Sequence, residues 1–236
     1  MGIYSIFKVG PWLALTYFLS ACSSVRQGEG DGAVSAQPWF NHSIFGRALT
    51  PQVDSLDTVQ IDAKFYGAEE PTLAFNTCSD LANYSETDIA YEQYLFWTTV
   101  NINCLAAEAF IDSSPNFVSY WPESLTPELL LTFPSVATPN IGGQSLSVAG
   151  KDGVTLAGAR DGVEITEVGD NFVSATQKTL NTKYLLVAKA DFNFDGIEDW
   201  FVRLDWNISG ASGIGTDWIA LTKLSADGPP MILWRG

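Results

Sequence analysis

The sequence has little positive charge: 12 Lys and Arg side chains stand against 27 Asp and Glu, a formal net charge of −15. Such a chain repels phosphate backbones, so we expect no nucleic-acid binding. It also contains a single histidine and three cysteines, which leaves few soft ligands for zinc. Because 46% of the residues are hydrophobic, the chain can build a core, and an intrinsically disordered protein is disfavoured.

Motifs typical of enzymes are missing as well. His42, the only histidine, follows a polar N-terminal stretch in which a Ser-His-Asp site is hard to build. Residues 210–215 are glycine-rich but lack the spacing of a phosphate loop, and we expect a hairpin loop there. Acidic pairs such as Glu69 and Glu70 are plentiful, and the sequence does not give the separation that a glycosidase needs. We therefore expect a non-enzymatic protein.

The first 21 residues have the composition of an export signal. A single charged residue, Lys8, precedes an apolar stretch from Val9 to Leu19. This stretch of about eleven residues is too short to span a hydrocarbon core of about 30 Å, which needs about twenty. No later apolar run is long enough either, so we expect no permanent transmembrane helix.

The end of this signal consists of small residues and a cysteine, Leu19-Ser20-Ala21-Cys22. These four residues resemble the lipobox of bacterial lipoproteins, in which the signal is cut before the cysteine and the cysteine is acylated. The resemblance implies a palmitate-type lipid anchor on Cys22 and attachment to a membrane. Ser23 stands where an aspartate would resemble an inner-membrane retention signal, so the implied location is the outer membrane, with its face undetermined. The alternative is an ordinary signal peptide with a free thiol.

The segment after the signal, residues 22–37, contains mostly Ser, Gly, Ala, Gln and scattered charges. With almost nothing to bury, it is predicted to be a flexible tether between the lipid and the folded part.

Two cysteines, Cys78 and Cys104, remain when Cys22 is acylated. An even number in an oxidising compartment favours a disulfide bridge, which would stabilise the fold by about 3.5 kcal/mol in the chain-entropy model. Two buried thiols are the alternative.

The remaining chain predicts an α+β fold in two parts, which together could also form one compact domain. Residues 38–135 are predicted to be a helical part tied by the Cys78–Cys104 bridge, with helix signals at Ser85 and over 102–111. A proline-rich connector follows from Trp121 to Gly143. Residues 136–236 are predicted to be a mostly antiparallel sheet, because short β-prone runs alternate with Asp-Gly turns. The predicted strands are Ser145–Ala149, Val163–Glu167, Phe172–Gln177, Tyr184–Ala190, Trp200–Asn207, Trp218–Leu224 and Met231–Trp234.

The predicted strand Trp200–Asn207 alternates strictly. Trp200, Val202, Leu204 and Trp206 share one face and are expected to pack, whereas Phe201, Arg203 and Asp205 are expected to face mostly water.

An acidic loop, residues 191–199, lies between two of these strands and reads Asp-Phe-Asn-Phe-Asp-Gly-Ile-Glu-Asp. Calcium takes six to eight oxygen ligands, and oxygens at loop positions 1, 3, 5, 7 and 9 can supply them from a tight turn. The clustered negative charge also calls for a counterion. The candidate ligands of a structural Ca²⁺ are Asp191, Asn193, Asp195, the Ile197 carbonyl and Asp199.

The loop resembles the calcium loops of the FG-GAP, VCBS and dockerin families over about nine residues. It differs from an EF-hand at position 12, where Val202 replaces the bidentate glutamate, and no repeat of the kind found in propellers is visible. The resemblance implies that Asp199 is the bidentate ligand. A polar hairpin turn without metal is the alternative.

Together these features predict a lipid-anchored cell-envelope protein that acts as a structural or interaction module, with an envelope protein or a glycan as its partner. Because the chain contains eight tryptophans, a glycan-binding protein or a glycan-acting hydrolase is the alternative. In that case Trp39 and Trp121 are the tryptophans expected to be exposed.

Overall fold

Strands and helices are distributed over the whole described chain. The structure, a computed structural model, describes residues 33–46, 53–69, 72–141, 153–159 and 161–236. All of these belong to one compact unit, Asp31–Gly236. The predicted signal peptide, Cys22 and the predicted strand Ser145–Ala149 lie outside the described residues.

The strands form one large antiparallel sheet and two small ones. The strands are β1 (Val34–Ala36), β2 (Trp39–Phe40), β3 (Gln60–Phe65), β4 (Leu73–Thr77), β5 (Phe117–Ser119), β6 (Glu164–Gly169), β7 (Phe172–Gln177), β8 (Leu180–Ala190), β9 (Asp199–Ile208), β10 (Ile214–Thr222) and β11 (Met231–Arg235). Among the described residues, the large sheet has the order β11-β10-β9-β8-β7-β6, and β2 pairs with β8 in addition. The prediction of an α+β fold with a mostly antiparallel sheet is confirmed. The helices are α1 (Cys78–Leu81), α2 (Tyr94–Ile111) and α3 (Pro127–Leu131).

Helix α2 is longer than the sequence suggested. Ser85 starts only a short 3-10 turn, Glu86–Asp88, in which the Asp88 carboxylate accepts the Ser85 N–H. The two predicted helices, one starting at Ser85 and continuing through the apolar residues up to Trp97 and the other over 102–111, are replaced by one continuous helix that begins at Tyr94 and ends at Ile111. Trp97 and Val100 are buried there in the same core as Phe201 of β9.

The face of β9 expected to meet water is covered by α2, so that prediction is wrong. Phe201 is 3% exposed and Arg203 is 9% exposed. The Arg203 guanidinium donates to the Asp205 carboxylate at 2.7 and 2.9 Å and to Asn103 Oδ1 of α2 at 2.6 Å. A buried charge is tolerated because its donors are satisfied in this way.

The opposite face of the sheet is covered by the proline-rich connector. Thr126 caps α3, its hydroxyl accepting the Leu129 N–H at 3.2 Å. Leu130 and Phe133, both 0% exposed, pack in one core with Trp200 and Leu204 of β9. The connector therefore contains a short helix and builds a core of its own.

The predicted disulfide bridge is present. Cys78 of α1 and Cys104 of α2 are bonded, with their Cα atoms 5.4 Å apart. Because α1 continues directly from β4, the bridge ties the β3–β4 hairpin to α2.

The folded part begins inside the segment predicted to be a tether. Val34–Ala36 pair antiparallel with Phe117–Ser119, although the segment 22–37 as a whole carries few large apolar side chains. The pairing is satisfied by backbone hydrogen bonds, which composition alone does not reveal. Within the described chain, no helix has the length and apolar character to cross a membrane.

Candidate metal centre

The acidic loop connects β8 to β9 at the end of their ladder, where Ala190 pairs with Asp199. Its two end carboxylates, Asp191 and Asp199, are 1% and 0% exposed, whereas Asp195 at the tip is exposed. The acidic side chains of the loop therefore range from exposed at its tip to buried at its two ends.

Side-chain oxygens fold the loop by accepting backbone N–H groups across it. Asp191 accepts from Asp195 N at 3.1 Å and from Gly196 N at 3.0 Å, each on a different oxygen. Asn193 Oδ1 also accepts from Asp195 N at 3.0 Å, and Asp195 Oδ1 accepts from Ile197 N at 2.9 Å. Gly196 has a φ of +83°, a conformation that a glycine adopts without strain. The predicted ligand positions are therefore also the residues that shape the turn.

Residues in and next to β5 form hydrogen bonds to the backbone of the loop. Val118 N donates to Gly196 O at 3.0 Å, and Glu198 N donates to Val118 O at 2.8 Å. The Trp121 indole N–H donates to the Glu198 carbonyl at 2.7 Å. The loop backbone is thus held on both sides, by its own carboxylates and by a neighbouring chain segment.

Glu198, which the sequence did not place among the ligands, is 4% exposed. Its Oε1 accepts the Trp200 indole N–H at 2.7 Å. Burial raises the pKa of its carboxyl, which the Trp200 hydrogen bond and the charge of Lys189 oppose. The Glu198 carboxylate is therefore bonded to Trp200 of β9 and not to a group inside the loop.

Asp199 is the least satisfied group of the loop. Its Oδ2 accepts Phe192 N at 3.1 Å. Its Oδ1 is buried, and its neighbour is the Thr222 hydroxyl, which lies opposite Asp199 on β10; among the described residues neither atom has a hydrogen bond of normal geometry. Burial raises the pKa of Asp199 to about 7, against hydrogen bonding from Thr222 and Phe192 and together with the charges of Asp195 and Asp191. A buried carboxylate oxygen without a partner is costly, and a cation is one way to satisfy it.

The carboxylates of the loop do not converge on one point as they stand. In the part of the chain that is described, no group of three or more His, Cys, Asp or Glu side chains is arranged to hold a metal ion. Asp191 and Asp195 direct oxygens to backbone amides instead. The donor chemistry fits a hard cation through Asp199 Oδ1 and the oxygen-rich loop, but ligation by all five predicted residues needs side chains to turn.

Trp39 and Trp121, the two tryptophans expected to be exposed, are both less exposed than Trp234. Trp121 is 8% exposed, because it stacks on Trp200 with ring centroids 4.4 Å apart. Trp39 is half-buried on β2, with the Lys189 ammonium 5.5 Å from its ring. Trp234, in contrast, is 44% exposed, and alternation along so short a terminal strand gave no sign of this.

Comparison of the chain with protein-family models, with curated proteins and with solved structures gave no match.

Proposed function

We propose that this chain is a lipid-anchored protein of the cell envelope, located in the outer membrane, whose folded part is a non-enzymatic structural or interaction module stiffened by one calcium ion. The observation that carries the calcium part is the burial of Asp191 and Asp199, 1% and 0% exposed, at the two ends of a loop with oxygens at positions 1, 3, 5, 7 and 9. The anchor is supported by the lipobox-like sequence ending in Cys22.

Calcium would act on the charge of the loop. Four acidic side chains lie within residues 191–199, and two of the three aspartates are buried. A divalent cation supplies positive charge close to these groups, so that Asp199 is ionised and bound without remaining an uncompensated buried charge. The ligands would be Asp191, Asn193, Asp195, the Ile197 carbonyl and Asp199. The gain would be rigidity at the β8–β9 turn.

Thermal unfolding with and without calcium tests the metal site. At a calcium concentration of about 100 times Kd the ion contributes about 2.7 kcal/mol, and we expect a rise in Tm of about 5 to 10 °C. Asp195→Ala should lose most of this rise, because it removes one of the predicted ligands. Since Asp195 is exposed, the substitution leaves the core intact.

The matched control is Asp170→Ala, which removes an exposed acid from the β6–β7 turn and should keep the full calcium response. A wild-type melting curve that is the same in calcium and in chelator would contradict the metal site.

Metabolic labelling tests the anchor. We expect labelled palmitate to enter the wild-type protein and Cys22→Ser to move the protein into the soluble fraction, because several acyl chains hold a protein at a bilayer for long times. Cys78→Ser, at a cysteine that the fold uses in the disulfide, is the control and should keep the label. An unlabelled wild-type protein would refute the anchor.

A further inference from the structure

Two adjoining cavities run along α2, on the side that faces β10 and β11. The larger, about 490 Å³, is lined by residues that include Tyr94, Trp97 and Asn101 of the helix. The smaller, about 240 Å³, is lined by residues that include Phe192 and Trp234. Leu105 and Trp218 line both, so the cavities join into one elongated depression, which we call the α2 groove. Its size is that of a small-molecule site.

The α2 groove offers flat aromatic surfaces that are fixed in place. Trp218 stacks on Phe201 with ring centroids 4.9 Å apart and an interplanar angle of 11°. Trp234 and Tyr94 are 44% and 39% exposed. Rings that are held and partly open to solvent present their electron-rich faces to C–H groups of a ligand at little entropic cost.

Polar groups surround this aromatic surface. Glu86 and Asp217 line the larger cavity, and Glu108 and Asp112 line the smaller one. None of the described residues that line either cavity is Lys or Arg. The α2 groove therefore disfavours anions. Glu86 Oε2 already accepts the Tyr94 hydroxyl, and Asp217 Oδ2 accepts Asn140 N. The other carboxylate oxygens, above all those of Glu108 and Asp112, are therefore the acceptors for hydroxyl and amide hydrogens of a ligand.

Two indole N–H groups that line the α2 groove, those of Trp97 and Trp206, have no hydrogen bond of normal geometry among the described residues, and the Trp206 N–H lies near the Asp217 carboxylate. The Trp97 side chain is 7% exposed. A buried N–H without a partner is costly, and a ligand oxygen would satisfy it.

We propose that the α2 groove binds a neutral oligosaccharide that carries N-acetyl groups. The apolar faces of its sugar rings would lie on Trp234 and Trp218, and its hydroxyl groups would donate to the surrounding carboxylates. The smaller cavity, whose lining includes Leu105, Ala109 and Phe192, is apolar enough to take an acetyl methyl group. Neutrality fits a chain of net charge −15 better than an anionic glycan does.

The site does not need the lipid anchor, and it shares only Phe192 with the acidic loop, so its failure would leave the proposed function standing. Isothermal titration calorimetry of the full chain with the β-1,4-linked tetramer of N-acetylglucosamine tests it, once in calcium and once in chelator. We expect saturable binding, weakened about tenfold by Trp234→Ala, because that side chain is exposed and provides a stacking face.

Trp39→Ala is the matched control, since Trp39 is a half-buried tryptophan of the same sheet that does not line the α2 groove. It should leave the affinity unchanged. Absence of binding by the wild-type protein would overturn the proposal, and so would equal weakening by Trp234→Ala and Trp39→Ala. Binding of tetralysine in place of the sugar would also overturn it, because the acidic rim would then recognise a cationic peptide.

Discussion

The two faces of the large sheet are covered in different ways. On one face, a connector with a single short helix fills a core in which Phe133, Leu204 and Trp200 are all 0% exposed. On the other, α2 lies across β8 and β10, and the Arg203 guanidinium bonds to Asn103 at this interface. The first face is closed by loops of matching shape, and the second by a regular helix.

Both coverings leave open space at their edges. On the connector face, a cavity of about 550 Å³ is lined by residues that include Pro134, Val136 and Ile232. The space that remains beside α2 is the groove lined by Trp218 and Trp234. Stability is therefore expected to come from packing on both faces, where Phe133 on one and Phe65 on the other are 0% and 1% exposed, and in addition from the disulfide and the Arg203 network on the helix face.

The largest expected effect belongs to the connector face. Phe133→Ala should lower the free energy of unfolding by about 3 to 5 kcal/mol, because it leaves a cavity in a sealed core. Chemical denaturation with matched m-values is the measurement. Phe96→Ala on α2, where the side chain is 52% exposed, should cost less than half as much. Equal losses for the two variants would contradict the contrast between the faces.

A somewhat smaller effect is expected on the helix face. Replacing both Cys78 and Cys104 by Ala should lower the free energy of unfolding by about 3 kcal/mol, since the bridge joins residues 26 apart in sequence. Hydrogen exchange should accelerate more in α2 than in β7, because α2 is the element that the bridge fastens. A reductant should destabilise the wild-type protein and leave the double variant unchanged. Uniform acceleration in both elements would argue against a separate role for the bridge.

Much of the sheet could be predicted from the sequence because its signals are local. Strand β7 occupies the predicted residues Phe172–Gln177, and β11 differs from its prediction only at one end. Alternation of apolar residues and Asp-Gly turns is sufficient for such hairpins. The disulfide was predictable from the even number of remaining cysteines and from the oxidising compartment that the sequence predicts.

The covering of each face could not be predicted, because it depends on contacts distant in sequence. Arg203 on a strand reads as a solvent-facing residue, and its burial depends on the pairing with Asp205 together with a hydrogen bond to Asn103, 100 residues away. Trp121 likewise reads as a residue of an irregular segment, yet it stacks on Trp200. The sequence pattern shows which residues share a face of a strand, but it does not show which element packs against that face.

For the acidic loop, too, the sequence predicted which residues are present but not the contacts that they make. Its ligand-type spacing is visible in the sequence, whereas the burial of Asp199 Oδ1 beside Thr222 depends on how β9 and β10 pair. The hydrogen bonds from Asp191 to backbone amides are also a property of the folded turn. The composition of the candidate site was therefore predictable, and its present geometry was not.

The pairing of β1 with β5 has a mechanical consequence. Val118 at the centre of β5 pairs with Ser35 on one side and exchanges hydrogen bonds with Gly196 and Glu198 on the other. A pull on the chain ahead of Val34 is thus transmitted to the β8–β9 turn across only two rows of backbone hydrogen bonds. Under tension, the hydrogen bonds that join β1, β5 and the β8–β9 turn are therefore loaded before those inside the large sheet.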